Sequence, residues 1–165
     1  FDGAGSLRGA DMRATSGDPH ARKGAMMDQI ERRVRESFAK QTMMQTLGAE
    51  IIDVQPGLVR VTAPVLAGAM QQQGFGHAGL TFSIGDSAAG YAALSMLPPE
   101  VDVVTSEIKI NLLAPARGDR LIATGRVVKP GRRLCVVTAE VHAETDGAAK
   151  LIAILQGTIV PVPAA

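Results

Sequence analysis

At 165 residues the chain has the length of one compact domain, without room inside it for a second of ordinary size, and 46% hydrophobic with 20% charged residues describes a polymer that buries a core. A formal charge of +1 is too balanced to draw polyphosphate by bulk electrostatics, and no Trp, one Tyr and four Phe leave no platform for stacked bases, so nucleic acid is not an expected partner. The one cysteine, Cys135, excludes an internal disulfide and a multi-cysteine metal site, and suits a reducing compartment.

Residues 1–25 mix Gly, Ala, Arg, Asp and Ser with no apolar run or periodic face. They read as a disordered tail without the apolar stretch of a signal peptide, and a start at Phe1 rather than Met allows part of the tail to be foreign to the protein. Residues 26–165 read as a single domain. No span reaches the ~18 consecutive apolar residues of a membrane helix, so no membrane partner and a cytoplasmic location are expected.

From Met26 to Leu47, Met27, Ile30, Val34 and Phe38 recur every three or four residues, which predicts an amphipathic helix, broken once and ended at Gly48. The segment 50–64 then holds two β-rich runs joined by Pro56-Gly57, a hairpin with its turn pair in place. Residues 78–97, AGLTFSIGDSAAGYAALSML, contain no Lys, Arg or Glu and are small or apolar on every side, so they predict a buried helix. Four strands follow, at 101–113, 119–129, 133–145 and 149–160, separated by turn chemistry such as Asp146-Gly147. In the third of these Cys135, Val137, Ala139, Val141 and Ala143 alternate with polar residues, the pattern of an antiparallel sheet with one dry face. The order lacks βαβ alternation, so the expected class is α+β: an antiparallel sheet wrapped around a long central helix, with enough apolar helix surface left over to require at least a homodimer.

Chemistry concentrates in residues 71–90, QQQGFGHAGLTFSIGDSAAG. Gly74 to Gly79 satisfies G-x-G-x-x-G, but three glutamines rather than a strand precede it and antiparallel strands follow, which argues against a dinucleotide site. Neither Ser83 nor Ser87 completes G-x-S-x-G, and His20, His77 and His142 have no metal-ligand spacing, so no metal is expected. The glycines instead let backbone N–H groups at a helix start approach an electron-rich oxygen. Asp86 is the one charged side chain in the helix, and a carboxylate buried there needs a hydrogen-bonding partner or a raised pKa.

The pattern Gln71-x-x-Gly74-x-x-His77-x-Gly79, with a carboxylate nine positions past the histidine, resembles the hotdog-fold acyl-CoA thioesterases of the phenylacetate-degradation (PaaI-like) group. The likeness continues through 105–141 and the terminal ILQGTIVPV. It implies a hotdog fold, dimers whose sheets join side by side and pair again into a homotetramer, and hydrolysis of an acyl-CoA thioester carrying an aryl or medium-chain group. No cofactor is implied. A non-catalytic acyl-CoA-binding or sensing domain is the alternative, and a hotdog dehydratase fits the spacing less well.

By position, the resemblance makes Asp86 the catalytic carboxylate, as general base or as nucleophile through a mixed anhydride. It makes the N–H of Ala78, supported by Gly79, the oxyanion donor, with Gln71 holding the carbonyl or water and His77 fixing the turn. Thr105 becomes a substrate contact. Where several relatives carry a hydroxyl one turn beyond the acid, this chain has Gly90, so that task must pass to Ser87 or disappear. Lys129, Arg132 and Arg133, crowded around one hairpin turn, are candidates for the CoA phosphates. Eight helical residues separate Ala78 from Asp86, about 12 Å along the axis, so one carbonyl cannot touch both unless each site combines two subunits.

Overall fold

The computed structural model describes residues 19–164, and what the sequence suggests for 1–18 lies outside them. Helix α1 (Pro19–Phe38) begins earlier than its apolar periodicity indicates, so residues 19–25, expected in the tail, are helical. Val34 and Phe38 supply its fully buried contacts. A break at Ala39–Gln41 leads to the short α2 (Thr42–Thr46), and Gly48, at φ +63°, turns the chain into the sheet.

Strands β1 (Glu50–Gln55) and β2 (Leu58–Pro64) form the hairpin, with Gly57 at φ +76° in its turn. The central helix α3 (Ala78–Leu94) follows, then β3 (Val101–Leu112), β4 (Arg120–Lys129), β5 (Cys135–Thr145) and β6 (Ala148–Pro163). All six strands join one antiparallel sheet in the order β1-β2-β4-β5-β6-β3. After α3 the chain crosses to the far edge to lay down β3 and returns to the middle as β4. The result is the expected α+β hotdog architecture, with α3 packed on one sheet face.

Small residues let that helix lie close. A Cβ on Gly125 of β4 would sit 2.2 Å from the Ala88 carbonyl, and one on Gly85 would meet Leu155 at 2.9 Å. The alternating residues of β5 are buried from Cys135 to Ala143, as their pattern indicates, and join Ile84, Leu94, Leu121 and Ile159 in the core.

Two surfaces stay open. Helix α3 is not buried all round: Leu80, Ile84, Ala88 and Ala92 are covered, whereas Phe82 is 37% exposed and Ser83, Asp86 and Gly90 are half-buried. Beside that face runs β3, a sheet edge whose Val104 is 51% exposed. A long unprotected edge is a template for pairing with another chain.

Candidate active site

The Gly-rich turn is built by its own backbone. Gly76 bridges to Met70 on one side and to Ala116 on the other, Gly74 adopts φ +81°, and the His77 N–H donates to the Ala69 carbonyl at 2.8 Å. Gln71 braces the loop, its Oε1 accepting from the Gln73 N–H at 2.7 Å. His77 is the N-cap of α3, with extended backbone and Nδ1 accepting from the Gly79 N–H at 2.8 Å. Gly79 is therefore committed to the cap and is not a free supporting donor, which corrects the paired-donor expectation. The N–H of Ala78, first in the helix, has no acceptor among the described residues. Ala78 lines a cleft of about 530 Å³ together with Gln71, Phe75, Thr81, Leu112 and Leu113. The Arg117 guanidinium lies 5.4 Å from the centre of the Phe75 ring.

Asp86 lies two turns further along α3. It opens into a second cleft, of about 290 Å³, with Lys40, Gln41, Tyr91, Asp102 and Thr105. Its Oδ1 accepts from the Thr105 hydroxyl at 2.8 Å, and Oδ2 has no partner among the described residues. The carboxylate is half-buried, not sunk in apolar surroundings as the helix composition indicates, because the α3 face that carries it is open in the single chain. Tyr91 backs the cleft. Burial raises its phenol above the usual value, while a 3.2 Å hydrogen bond with Ser37 acts weakly the other way.

Gln71, His77 and Ala78 are thus brought to one cleft, and Asp86, Ser87 and Thr105 to the other. Ser87 turns its hydroxyl toward Gln41 Oε1 at 3.4 Å and Met44 Sδ at 3.5 Å, so it does not stand in for the hydroxyl missing at Gly90. Lys129, Arg132 and Arg133, at the turn that joins β4 to β5, line neither cleft. Gln41 is a cleft residue that nothing in the sequence marks, since only the break after α1 brings it there. Leu112 and Leu113 do carry a signal, as adjacent leucines at a strand end that are 55% and 54% exposed. No three or more His, Cys, Asp or Glu side chains converge on a metal-sized site among the described residues, and no described helix is long and apolar enough to cross a membrane.

Comparison with known proteins places this arrangement. The family model of the thioesterase superfamily matches residues 73–150, the span that holds the Gly-rich turn, α3 and the strands that cover it. A crystal structure of a thioesterase family protein from Silicibacter pomeroyi is 43% identical, superposes with a TM-score of 0.80, and is covered over 99% of its length by 82% of this chain. The chain belongs to the thioesterase superfamily. This thioesterase is also 31% identical to the acyl-coenzyme A thioesterase PaaI of Escherichia coli, over 68% of its own length and 77% of the relative's. It is 28% identical to the 1,4-dihydroxy-2-naphthoyl-CoA hydrolase of Listeria monocytogenes, over 71% and 93%. It is a thioester hydrolase of the PaaI-like hotdog group.

Proposed function

We propose that the protein hydrolyses an acyl-CoA thioester carrying an aryl or medium-chain acyl group, at a site completed by two protomers. In this reading Asp86 of one protomer works opposite the Ala78 N–H of its neighbour. The observation that carries it is the separation of the half-sites: an N–H and a carboxylate oxygen, both without a partner among the described residues, belong to positions eight residues apart on one helix, about 12 Å along its axis. One thioester carbonyl must place its oxygen within ~3 Å of the N–H and its carbon within reach of the carboxylate, directly or through one water. A second copy of the chain supplies the missing half to each cleft, and the open face of α3 with the edge strand β3 is the surface on which it would dock. Two dimers associate in turn as a homotetramer. The names of the Escherichia coli and Listeria monocytogenes relatives support CoA thioesters as the substrate class.

In the first route water oxygen adds to the thioester carbon while Asp86 Oδ2 accepts its proton. The carbonyl electron pair moves onto oxygen, facing the Ala78 N–H, and collapse of the adduct expels the CoA thiolate, which takes up the proton. In the second, Asp86 itself attacks, CoA leaves, and water cleaves the resulting anhydride. Both demand the same free carboxylate oxygen and the same N–H, the latter worth about 3–4 kcal/mol of barrier. The test is thiol release from a panel of acyl-CoAs. Asp86→Asn is expected to lower kcat by about 10²–10⁴-fold at unchanged stability, and wild-type turnover in both Asp86→Asn and Asp86→Ala would remove the carboxylate from the chemistry.

A further inference from the structure

We propose that Gly90 is a specificity-determining residue: its bare backbone widens the carboxylate cleft, so that the site takes an acyl group that is broad next to its carbonyl, as a ring or a branched carbon is. The proposal rests on the reading of Asp86 as the reacting carboxylate. A glycine inside a helix lowers stability relative to alanine, because it has more backbone freedom to lose and adds no contact, so its place in α3 calls for a reason. Gly85 has one in Leu155, whose methyl a Cβ would meet at 2.9 Å, and Gly79 has one in its own N-cap, with His77 Nδ1 at 2.9 Å. Gly90 has none of this kind. Beyond its own helical turn a Cβ on it would meet nothing within 4 Å, and its φ lies outside the left-handed region. Packing within the chain therefore does not ask for a glycine at this position.

The open position borders the cleft of about 290 Å³, which Gly90 lines together with Asp86 and Tyr91. Positions 86 and 90 share one helix face, a turn and about 6 Å apart. With the thioester carbon held within reach of Asp86, the atoms that follow it in the acyl group come to stand over position 90. A side chain there would take the space that a first ring or a branch needs, and glycine leaves it free. The cleft is smaller than the ~300–1,000 Å³ of sites that enclose whole drug-sized ligands, so it suits an acyl group and not the much larger CoA moiety. Its back wall is firm. Tyr91, 6% exposed, is held by the 3.2 Å hydrogen bond with Ser37 and by an edge-on contact with the Phe38 ring, centroids 5.7 Å apart. A wall that cannot yield turns one added methyl into a steric exclusion, which is how a small change at position 90 becomes a choice between substrates.

Gly90→Ala and Gly90→Leu refill the position in two steps with good helix formers. Thiol release from benzoyl-CoA, broad at its first carbon, and from unbranched hexanoyl-CoA gives a ratio of kcat/KM values. The wild type is expected to favour benzoyl-CoA, and the ratio is expected to fall about 10-fold in Gly90→Ala and about 100-fold in Gly90→Leu, the range that one or two methylenes command in an apolar pocket. The melting temperature of Gly90→Ala is expected to rise by about 2–4 °C, as for any helical glycine that packing does not require. An unchanged ratio in Gly90→Leu, or a wild type that favours hexanoyl-CoA or releases thiol from neither, would overturn the role. So would variants that elute in gel filtration as a smaller species than the wild type, which would assign the glycine to the approach of a second chain. Asp86→Asn run in parallel separates the two levels: if it is inactive while the ratio stays unchanged in Gly90→Leu, only the specificity role falls, and if it is active the carboxylate reading itself fails.

Discussion

Replacing Ala78 by proline isolates the backbone donor proposed for the site. Position 78 is the first residue of α3, where proline is favoured and its missing N–H breaks no helical bond. The residue before a proline must be extended, and His77 already sits at φ −64°, ψ 144°. The cap from Gly79 N–H to His77 Nδ1 and the bond from Leu80 N–H to the His77 carbonyl, at 2.8 and 3.0 Å, do not involve the lost hydrogen. Stability should therefore change by no more than about 0.5 kcal/mol, whereas removing one oxyanion donor costs about 3–4 kcal/mol of barrier, or 10²–10³ in kcat. Ala78→Gly, which keeps the N–H, is the control and retains turnover. Mixing unfolded Ala78→Pro and Asp86→Asn chains and refolding them together extends the test. Random pairing makes half of the dimers mixed, each with one intact site, so activity should return to about a quarter of wild type. A proline variant with near-normal kcat refutes the oxyanion assignment, and a co-refolded mixture as inactive as its parents refutes the shared site.

Two further outcomes follow from packing. Gly125→Ala places a methyl 2.2 Å from the Ala88 carbonyl and 2.4 Å from the Ala89 nitrogen, backbone atoms that can yield only if α3 lifts by about 1 Å from the sheet. A loss of at least about 1–3 kcal/mol in urea unfolding is expected, with a fall in kcat as Asp86 moves from Thr105, and an unchanged midpoint would show that the close approach is not a constraint. Tyr91 is a phenol that burial holds protonated, so its contribution to stability is fully present below its unfolded value near 10.0 and is lost as pH rises through the higher folded value. Tyr91→Phe should lower stability at pH 7 by about 1 kcal/mol through the lost Ser37 bond and flatten the decline above pH 10. Thermal melts across pH 8–11 measure both, and an identical alkaline decline in the variant would assign it elsewhere.

The layers of the fold are legible in the sequence because each rests on a local rule: strict alternation in β5, turn pairs at Pro56-Gly57 and Asp146-Gly147, and a charge-poor stretch for α3. Gly125 is legible only as a glycine within a strand, since its reason is the Ala88 carbonyl on an element far away in sequence. The bulge in β3, where Ser106 is an extra residue with no partner on β6, is hidden for a similar cause. No residue in TSEIKI marks an insertion, and the phase reversal emerges only when Ile108 and Ile110 meet the core while Thr105 meets Asp86.

The burial of Asp86 is where local rules reach their limit. Hydropathy measures how much of a helix avoids water and is silent on whether its cover comes from its own sheet or from another chain's. An all-apolar α3 therefore implies an enclosed carboxylate, whereas its own sheet covers only the stripe through Ile84, Ala88 and Ala92 and leaves Phe82, Asp86 and Gly90 open. The same composition that misplaces the acid within one chain becomes intelligible once a neighbour closes that face. Helical rise reaches that conclusion independently, because no thioester carbon spans two turns of helix. Two unrelated quantities, uncovered apolar surface and axial distance, thus support the same proposal of a second chain.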